Sequence, residues 1–317
     1  MDRLLFGWRI ASDIPLPELP LWPAASRPGE EQPYEERPAD ITIRRAPVPA
    51  RLAEIRVERP LFTVSADGEM RIDIHGHHVF LVRDGREVVV DTGTPDDADC
   101  HTYLLGPVLG ALCHQRGEVI LHAAVLRFGD AAVAFCGQSG AGKSTLAASL
   151  LARGHRMLAD DVTVLRRGPA SDARTLAWPA YPRMRLWQDA ASRSAIDTSA
   201  LDRCVFDIEK FVVPVDPAFD TTPLPLAALV HLDRCDDPAG EALIPLKGLK
   251  AAGQLRDNLY RAGMAYALDR ATPLLQNTAR LAAGIPRHLI ARRHIDDGAA
   301  ERLADRIEAA IAAGSEA

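Results

Sequence analysis

The chain has no C-x-x-C pair, no long apolar leader, no internal repeat and no large excess of one charge. Each absence removes a class of protein. The five cysteines (Cys100, Cys113, Cys136, Cys204, Cys235) are odd in number and widely spaced. That pattern predicts reduced thiols in a cytoplasm rather than a disulfide frame or a zinc site. Lysine and arginine number 37 against 43 aspartate and glutamate, and a net charge of −6 with interspersed signs argues against a nucleic-acid partner. The opening MDRLLFGWRIASDIPLPELP is broken by Asp13 and by prolines, so neither a signal peptide nor a membrane span is expected. With 317 residues and 47% hydrophobic content, the chain can build one large core or two modest ones.

What is present divides in two. A first strand is expected near Leu4–Ile10, then a loop rich in proline, glutamate and alanine from Pro15 to Pro38. From Ile41 to Thr92 short alternating runs follow (ITIRR, EIRVE, LFTVSADG, MRIDIHG, HHVFLVRDG, EVVVDTG), with Asp67-Gly68 and Asp84-Gly85 as hairpin turns. This predicts a β-rich N-terminal domain over residues 1–96. His75, His77 and His78 lie in one of these turns and lack a carboxylate or cysteine at ligand spacing, so they are read as a hairpin rather than a metal cluster. Residues 97–317 predict a second, α/β domain. It begins with a helix over Asp97–Arg116, kinked at Pro107. The runs VILHAAVLRFG and AAVAFCG then read as covered central strands. Further strands are expected at Val162–Arg166, Met184–Trp187, Phe211–Pro214 and Leu226–Leu232. A mainly helical tail runs from Ala251 to Ala313, with an amphipathic last helix near Ala299–Ala312.

The strongest signal is Gly137-Gln138-Ser139-Gly140-Ala141-Gly142-Lys143-Ser144, which satisfies G-x-x-x-x-G-K-[ST] between an apolar strand and a helix. Glycines let successive N–H groups turn inward, and the helix adds its positive end, so the loop cradles phosphates. Lys143 is expected to reach the β- and γ-phosphates of ATP. Ser144 should give its hydroxyl to Mg²⁺, with Thr145 beside it. A strand near Met157–Ala159 completes a βαβ-like unit and leads to Asp160-Asp161. In a solvated turn such a pair means little. Downstream of a phosphate loop it permits a division of labour, one carboxylate facing the metal and the other an incoming hydroxyl.

GQSGAGKSTL followed by RGHRMLADD resembles the catalytic domain of the HPr kinase/phosphorylase family over about residues 118–166. The resemblance implies a P-loop kinase fold of mixed sheet and helices and a homo-oligomer. It makes Asp160 the base that takes a serine hydroxyl's proton, sets Asp161 nearer the Mg²⁺, and places His122 beside Asp160. The N-terminal region does not follow that family, and its later E-I-R-G-L-G-like signature has no counterpart. Over most of its length the chain is similar to HPr-kinase-like proteins that accompany lasso-peptide biosynthesis, through GWRIASDIPLPELP, TYLLGPVLGALCHQRGEVILHA and EKFVVP. That similarity implies phosphorylation of a precursor peptide, often at a C-terminal serine.

Arg183 and Arg185 lie two apart on an expected strand and so share a face, suited to a γ-phosphate or an acidic peptide. Lys210, before an apolar strand, is a further candidate for phosphate or substrate. The competing readings are a nucleotide-driven switch ATPase and a regulator without catalysis. The sequence carries no L-S-G-G-Q-like signature, and its acids follow the loop within one unit.

Overall fold

The computed structural model describes residues 2–23, 38–94, 98–169, 172–188, 197–198, 201, 203–205, 208–296 and 298–313, with backbone alone for 203–205 and 208–210. The segment expected as a loop from Pro15 to Pro38 falls largely outside the described residues. Two compact units result: Met1–Glu118 with Arg261–Pro273, and Val119–Tyr260 with Leu274–Ala317.

The first unit is built on an eight-stranded sheet in the order β1-β2-β3-β8-β7-β6-β5-β4. Its strands are β1 (Arg3–Leu5), β2 (Trp8–Ser12), β3 (Ile41–Arg45), β4 (Ile55–Arg59), β5 (Phe62–Ser65), β6 (Met70–Ile74), β7 (His78–Arg83) and β8 (Glu87–Thr92). The single strand expected at Leu4–Ile10 is instead a hairpin. Phe6 (φ 51°) and Gly7 (φ 79°) both take left-handed angles, the geometry whose twist matches paired antiparallel strands. Asp84-Gly85 (φ 52° and 62°) and His75-Gly76 (φ 52° and 75°) turn the chain the same way, and the histidine-rich stretch forms the β6–β7 hairpin.

Helix α1 (Ala98–Tyr103), a wider π turn at Leu104–Val108 and helix α2 (Leu109–Gln115) follow. Pro107 sits inside the π turn, where the missing N–H is absorbed by local widening rather than by a sharp kink. Gln115 closes α2 onto the sheet. Its amide donates to the carbonyls of Gly68 (2.8 Å) and Val82 (2.9 Å), and its own carbonyl accepts from Gly85 N–H (2.8 Å). These bonds make the helix part of the first unit, so the division falls at residue 118 and not after 96.

In the second unit the apolar run at 119–128 breaks into β9 (Val119–Leu121) and β10 (Ala123–Phe128). The break is at His122, because β9 pairs with β13 (Thr163–Arg167) while β10 pairs with β11 (Ala131–Cys136) and β12 (Arg156–Ala159). Helix α3 (Lys143–Ala152) connects β11 to β12. The two strands run the same way but are not neighbours, since β10 lies antiparallel between them. On the other side of β11 comes the eleven-residue β18 (Leu224–Arg234), parallel to it, and beyond that β20 (Arg287–Arg293), parallel again. β20 was not anticipated, as the sequence read that stretch as part of a helical tail. β14 (Thr175–Trp178) and β19 (Ala242–Leu246) complete this sheet, and β15 (Arg183–Trp187), β16 (Arg203–Val205) and β17 (Ile208–Pro214) form a small second one. Helices α4 (Leu249–Asp257), α5 (Ala262–Ala267), α6 (Ala271–Ala283) and α7 (Ala299–Ala312) account for the tail. A continuous core of Leu126, Val133, Phe135, Leu146, Leu150, Val230, Leu289 and Ile307 packs α3 and α7 against the central strands. Covered on its face, the sheet puts its chemistry at one end.

Candidate functional site

The register decides what meets at that end. Cys136, the last residue of β11, stands opposite Ala123, the first of β10, and beside His231 of β18. Ala159, the last of β12, stands opposite Val125. The loop 137–142, His122 and Asp160-Asp161 therefore leave the sheet at one edge. The acid-bearing strand is two positions from the loop strand, or roughly 10 Å at normal strand spacing. The sequence reading had the two strands and the helix between them as one βαβ-like unit, without the antiparallel β10 in between.

Three glycines shape the loop with left-handed angles: Gly137 (φ 144°), Gly140 (φ 78°) and Gly142 (φ 90°). A Cβ at Gly137 would lie 2.9 Å from the Leu232 carbonyl oxygen, so the loop leaves β11 pressed against β18. Gln138, Ser139 and Gly140 are exposed, and Ala141 closes the curl by donating its N–H to the Gln138 carbonyl (3.0 Å). Lys143 is buried, and its Nζ donates to the carbonyls of Gly137 (2.7 Å) and Gln138 (3.3 Å), which holds the ammonium inside the curl. Ser144 and Thr145 occupy the first turn of α3, half-buried. Backbone that only glycine adopts, an inward lysine and a helix start fit a polyphosphate. Cys136, buried below the loop, has its thiol pushed up to about 12 by burial, against the pull of Lys143, so it stays protonated and inert.

The acids are held by a strand from the small sheet. Asp160 is buried and its Oδ2 accepts from the backbone N–H of Arg185 (2.8 Å). Asp161, at φ 71°, turns the other way. Its Oδ2 meets the Arg185 guanidinium at 2.5 Å and its Oδ1 lies 3.7 Å from His122 Nε2. Arg185 thus fastens both carboxylates, one through its backbone and one through its side chain. His122 is brought to Asp161, next in the chain to the Asp160 beside which the family resemblance set it. The reason is the left-handed turn at Asp161, which swings that carboxylate toward the start of β10.

The His122 N–H donates to the Asn258 carbonyl (2.9 Å), and its ring lies parallel to that of Tyr260 at 6.1 Å. Tyr181 is buried nearby. Burial pushes its phenol well above the usual range against the pull of Arg185, while Asp161, Tyr260 and Asp160 push the same way as burial. Arg183 shares the Arg185 strand, two positions earlier. Lys210 pairs with Trp187 across β15 and β17, and its side chain lies outside the described atoms.

Two residues escaped the sequence reading. Arg234 ends β18, Arg293 ends β20, and the two are partners in register. Arg234 donates to the Gly140 carbonyl. Arg293 is buried, and a Cβ on Gly142 would fall 1.8 Å from its Nη2. Gly142 is therefore glycine twice over, for its backbone angle and for the guanidinium that lies against it. A basic residue ending each of two apolar runs was the available signal.

No family model matches the chain. A curated protein of Oceanobacillus iheyensis, provisionally named HPr kinase/phosphorylase 2, is 44% identical over 50 residues, which are 16% of this chain and 16% of that protein. Among solved structures, the Hpr(Ser) kinase/phosphatase from Coxiella burnetii superposes with a TM-score of 0.31 at 14% identity, covering 62% of this chain and 95% of that one. The sequence likeness is local, and the superposition is too loose to transfer roles between residues.

Proposed function

We propose that the chain is an ATP-dependent kinase that transfers the γ-phosphoryl group to a serine hydroxyl of a peptide or protein. One observation carries this reading: a phosphate loop with an inward lysine and a clamped pair of carboxylates leave the same edge of one sheet. A motor ATPase also needs the loop and a carboxylate for its metal; a second carboxylate beside the first suits taking the proton of an incoming hydroxyl.

In this reading the loop N–H groups and Lys143 bind the β- and γ-phosphates, and Arg234 and Arg293 add positive charge behind the loop. Asp160 takes the serine proton as the serine oxygen bonds to the γ-phosphorus and the bond to the bridging oxygen of ADP breaks. Asp160 suits this because Arg185 holds its Oδ2 in place by a neutral N–H and leaves a carboxylate to accept the proton. Ser144 and Asp161 would hold magnesium, whose charge offsets that of the phosphates when bound. The acceptor we favour is a lasso-precursor peptide ending in serine, on the resemblance of GWRIASDIPLPELP, TYLLGPVLGALCHQRGEVILHA and EKFVVP to the lasso-associated proteins.

The test is incubation with γ-labelled ATP, magnesium and peptides ending in serine or in alanine. Label on the serine peptides alone is the expected result. Phosphate released at one rate whatever peptide is present would mean a switch ATPase, and nucleotide binding without turnover a regulator. Among the described residues no helix is long and apolar enough to cross a membrane.

A further inference from the structure

The first unit holds a pocket of about 460 Å³ that plays no part in the phosphate chemistry. Its size is in the range that buries a whole small ligand. The floor is apolar: Ile72 and Ile74, on one face of β6, and Met264 of α5 are all buried. The Pro107 turn forms part of the wall, and wide π turns of this kind recur where a helix has been reshaped around a site. Tyr103 contributes a phenol that burial, with the charge of Asp99, keeps protonated and able to donate.

The mouth has a different character. Leu61 is 45% exposed there, and the exposed Arg59 and Arg261 bring two guanidinium groups to a chain whose overall charge is −6. Arg59 bonds only to the neighbouring Glu58 carbonyl (3.0 Å), with no carboxylate partner among the described residues. Arg261 sits at φ 47°, a strained angle for a non-glycine residue. Such a site recognises an apolar group carried next to negative charge.

The surroundings choose a peptide over a compact amphiphile. Arg59–Phe62 is the turn between β4 and β5, and β4 is the outermost strand of the eight-stranded sheet, with no strand on its far side among the described residues. An extended segment can add to such an edge through its backbone and send every second side chain to one face. We propose that this pocket, with the open edge of β4 beside it, binds an extended peptide segment in which bulky apolar residues alternate with acidic ones. Under the transferase reading it would anchor the substrate peptide away from its acceptor serine.

The test uses a fluorescein-labelled, serine-free heptapeptide of alternating aspartate and leucine, followed by anisotropy on the whole chain without nucleotide. Binding is expected. Replacing the aspartates by lysine, or the leucines by glycine, should weaken it at least about tenfold, the scale of one well-placed contact. Leu61→Asp and Arg59→Glu in the protein should do the same, and Arg59→Lys should stay within roughly threefold of wild type because it keeps the charge. Both positions are exposed, so thermal melts should coincide with wild type. Equal binding of the lysine peptide, an unchanged affinity in Leu61→Asp, or saturable binding of dodecanoate with none of the peptide would each overturn the proposal. No phosphoryl transfer enters the measurement, so it can fail while the kinase reading stands, and stand while that reading fails.

Discussion

The edge of the second unit's sheet has an acidic half and a basic half, built on opposite principles. On the acidic side Asp160 and Asp161 are adjacent in sequence and reach different partners because one residue takes a left-handed angle. On the basic side Lys143, Arg234 and Arg293 are far apart in sequence, and converge because β11, β18 and β20 run parallel, with β18 and β20 ending together past Cys136. A local turn separates like charges. A long-range topology gathers them. The first arrangement depends on a single dihedral, the second on the strands staying in register.

The comparison breaks most sharply at Asp160. If the acidic half supplies the base, Asp160→Asn should cut phosphoryl transfer by about 10²–10⁴-fold while ATP affinity stays near wild type. A variant with full transfer removes Asp160 from that role. On the basic side Lys143→Ala should act on binding instead. Loss of charge-assisted bonds to phosphate, at about 1.5–3 kcal/mol, predicts roughly 10- to 100-fold weaker ATP binding by titration calorimetry. An unchanged dissociation constant would contradict the loop assignment.

Arg185 fastens both acids, so it sharpens the contrast. Arg185→Ala leaves the backbone bond to Asp160 and removes the guanidinium from Asp161. Transfer should fall roughly tenfold with the KM for ATP little moved, a loss of about 1.4 kcal/mol, typical of one hydrogen bond to a charged group. Arg185→Lys should not restore it fully, because an ammonium lacks the planar fork. A rise in KM with kcat unchanged would place Arg185 on the nucleotide instead.

How much of this the sequence revealed follows the same divide. Short-range features were legible: the Asp84-Gly85 and Asp67-Gly68 turns, the glycine curl at 137–142, the helix at 299–312 and the adjacency of the two acids all announce themselves within a few residues. β20 did not. Its RHLIARR is a short apolar run between arginines inside an alanine-rich helical stretch, and nothing local says that it pairs with β18 some sixty positions earlier. Without β20 there was no reason to bring Arg293 to Gly142. The hairpin at Phe6-Gly7 was missed because phenylalanine seldom takes a left-handed angle. The strand break at His122 was missed because a continuous apolar run hides the residue at which it changes partners.

The Gly142–Arg293 contact allows a finer test of the basic half. Gly142→Ala meets two obstacles, the angle of 90° and a guanidinium nitrogen 1.8 Å from the new methyl. A cost on the order of 1–3 kcal/mol in thermal or denaturant unfolding is expected for the strained position. Part of it should vanish in an Arg293→Ala background, since only the steric term is relieved, and the double-mutant cycle reads that share directly. Full additivity would show that the loop and the end of β20 are not in contact.

The smallest effect expected concerns how β20 itself is held. His288 is buried on that strand, its Nε2 is 2.9 Å from the Ala282 carbonyl, and its Nδ1 has no hydrogen-bond partner among the described residues. The ring is therefore neutral with its proton on Nε2. Burial holds its pKa below the ordinary value of 6.5, the Ala282 carbonyl pulling weakly the other way. With the folded value depressed, the unfolded chain takes up the proton first. The stabilisation is complete above about pH 6.5 and is lost as pH falls below it. His288→Gln, which can keep the donor and cannot titrate, should flatten unfolding free energy against pH between about 7 and 5. Because the carboxylates titrate alike in both proteins, the difference between the two curves isolates the histidine. Parallel curves would mean that β20 is fastened by its ladder and core contacts alone, and that the basic half owes nothing to the protonation state beneath it.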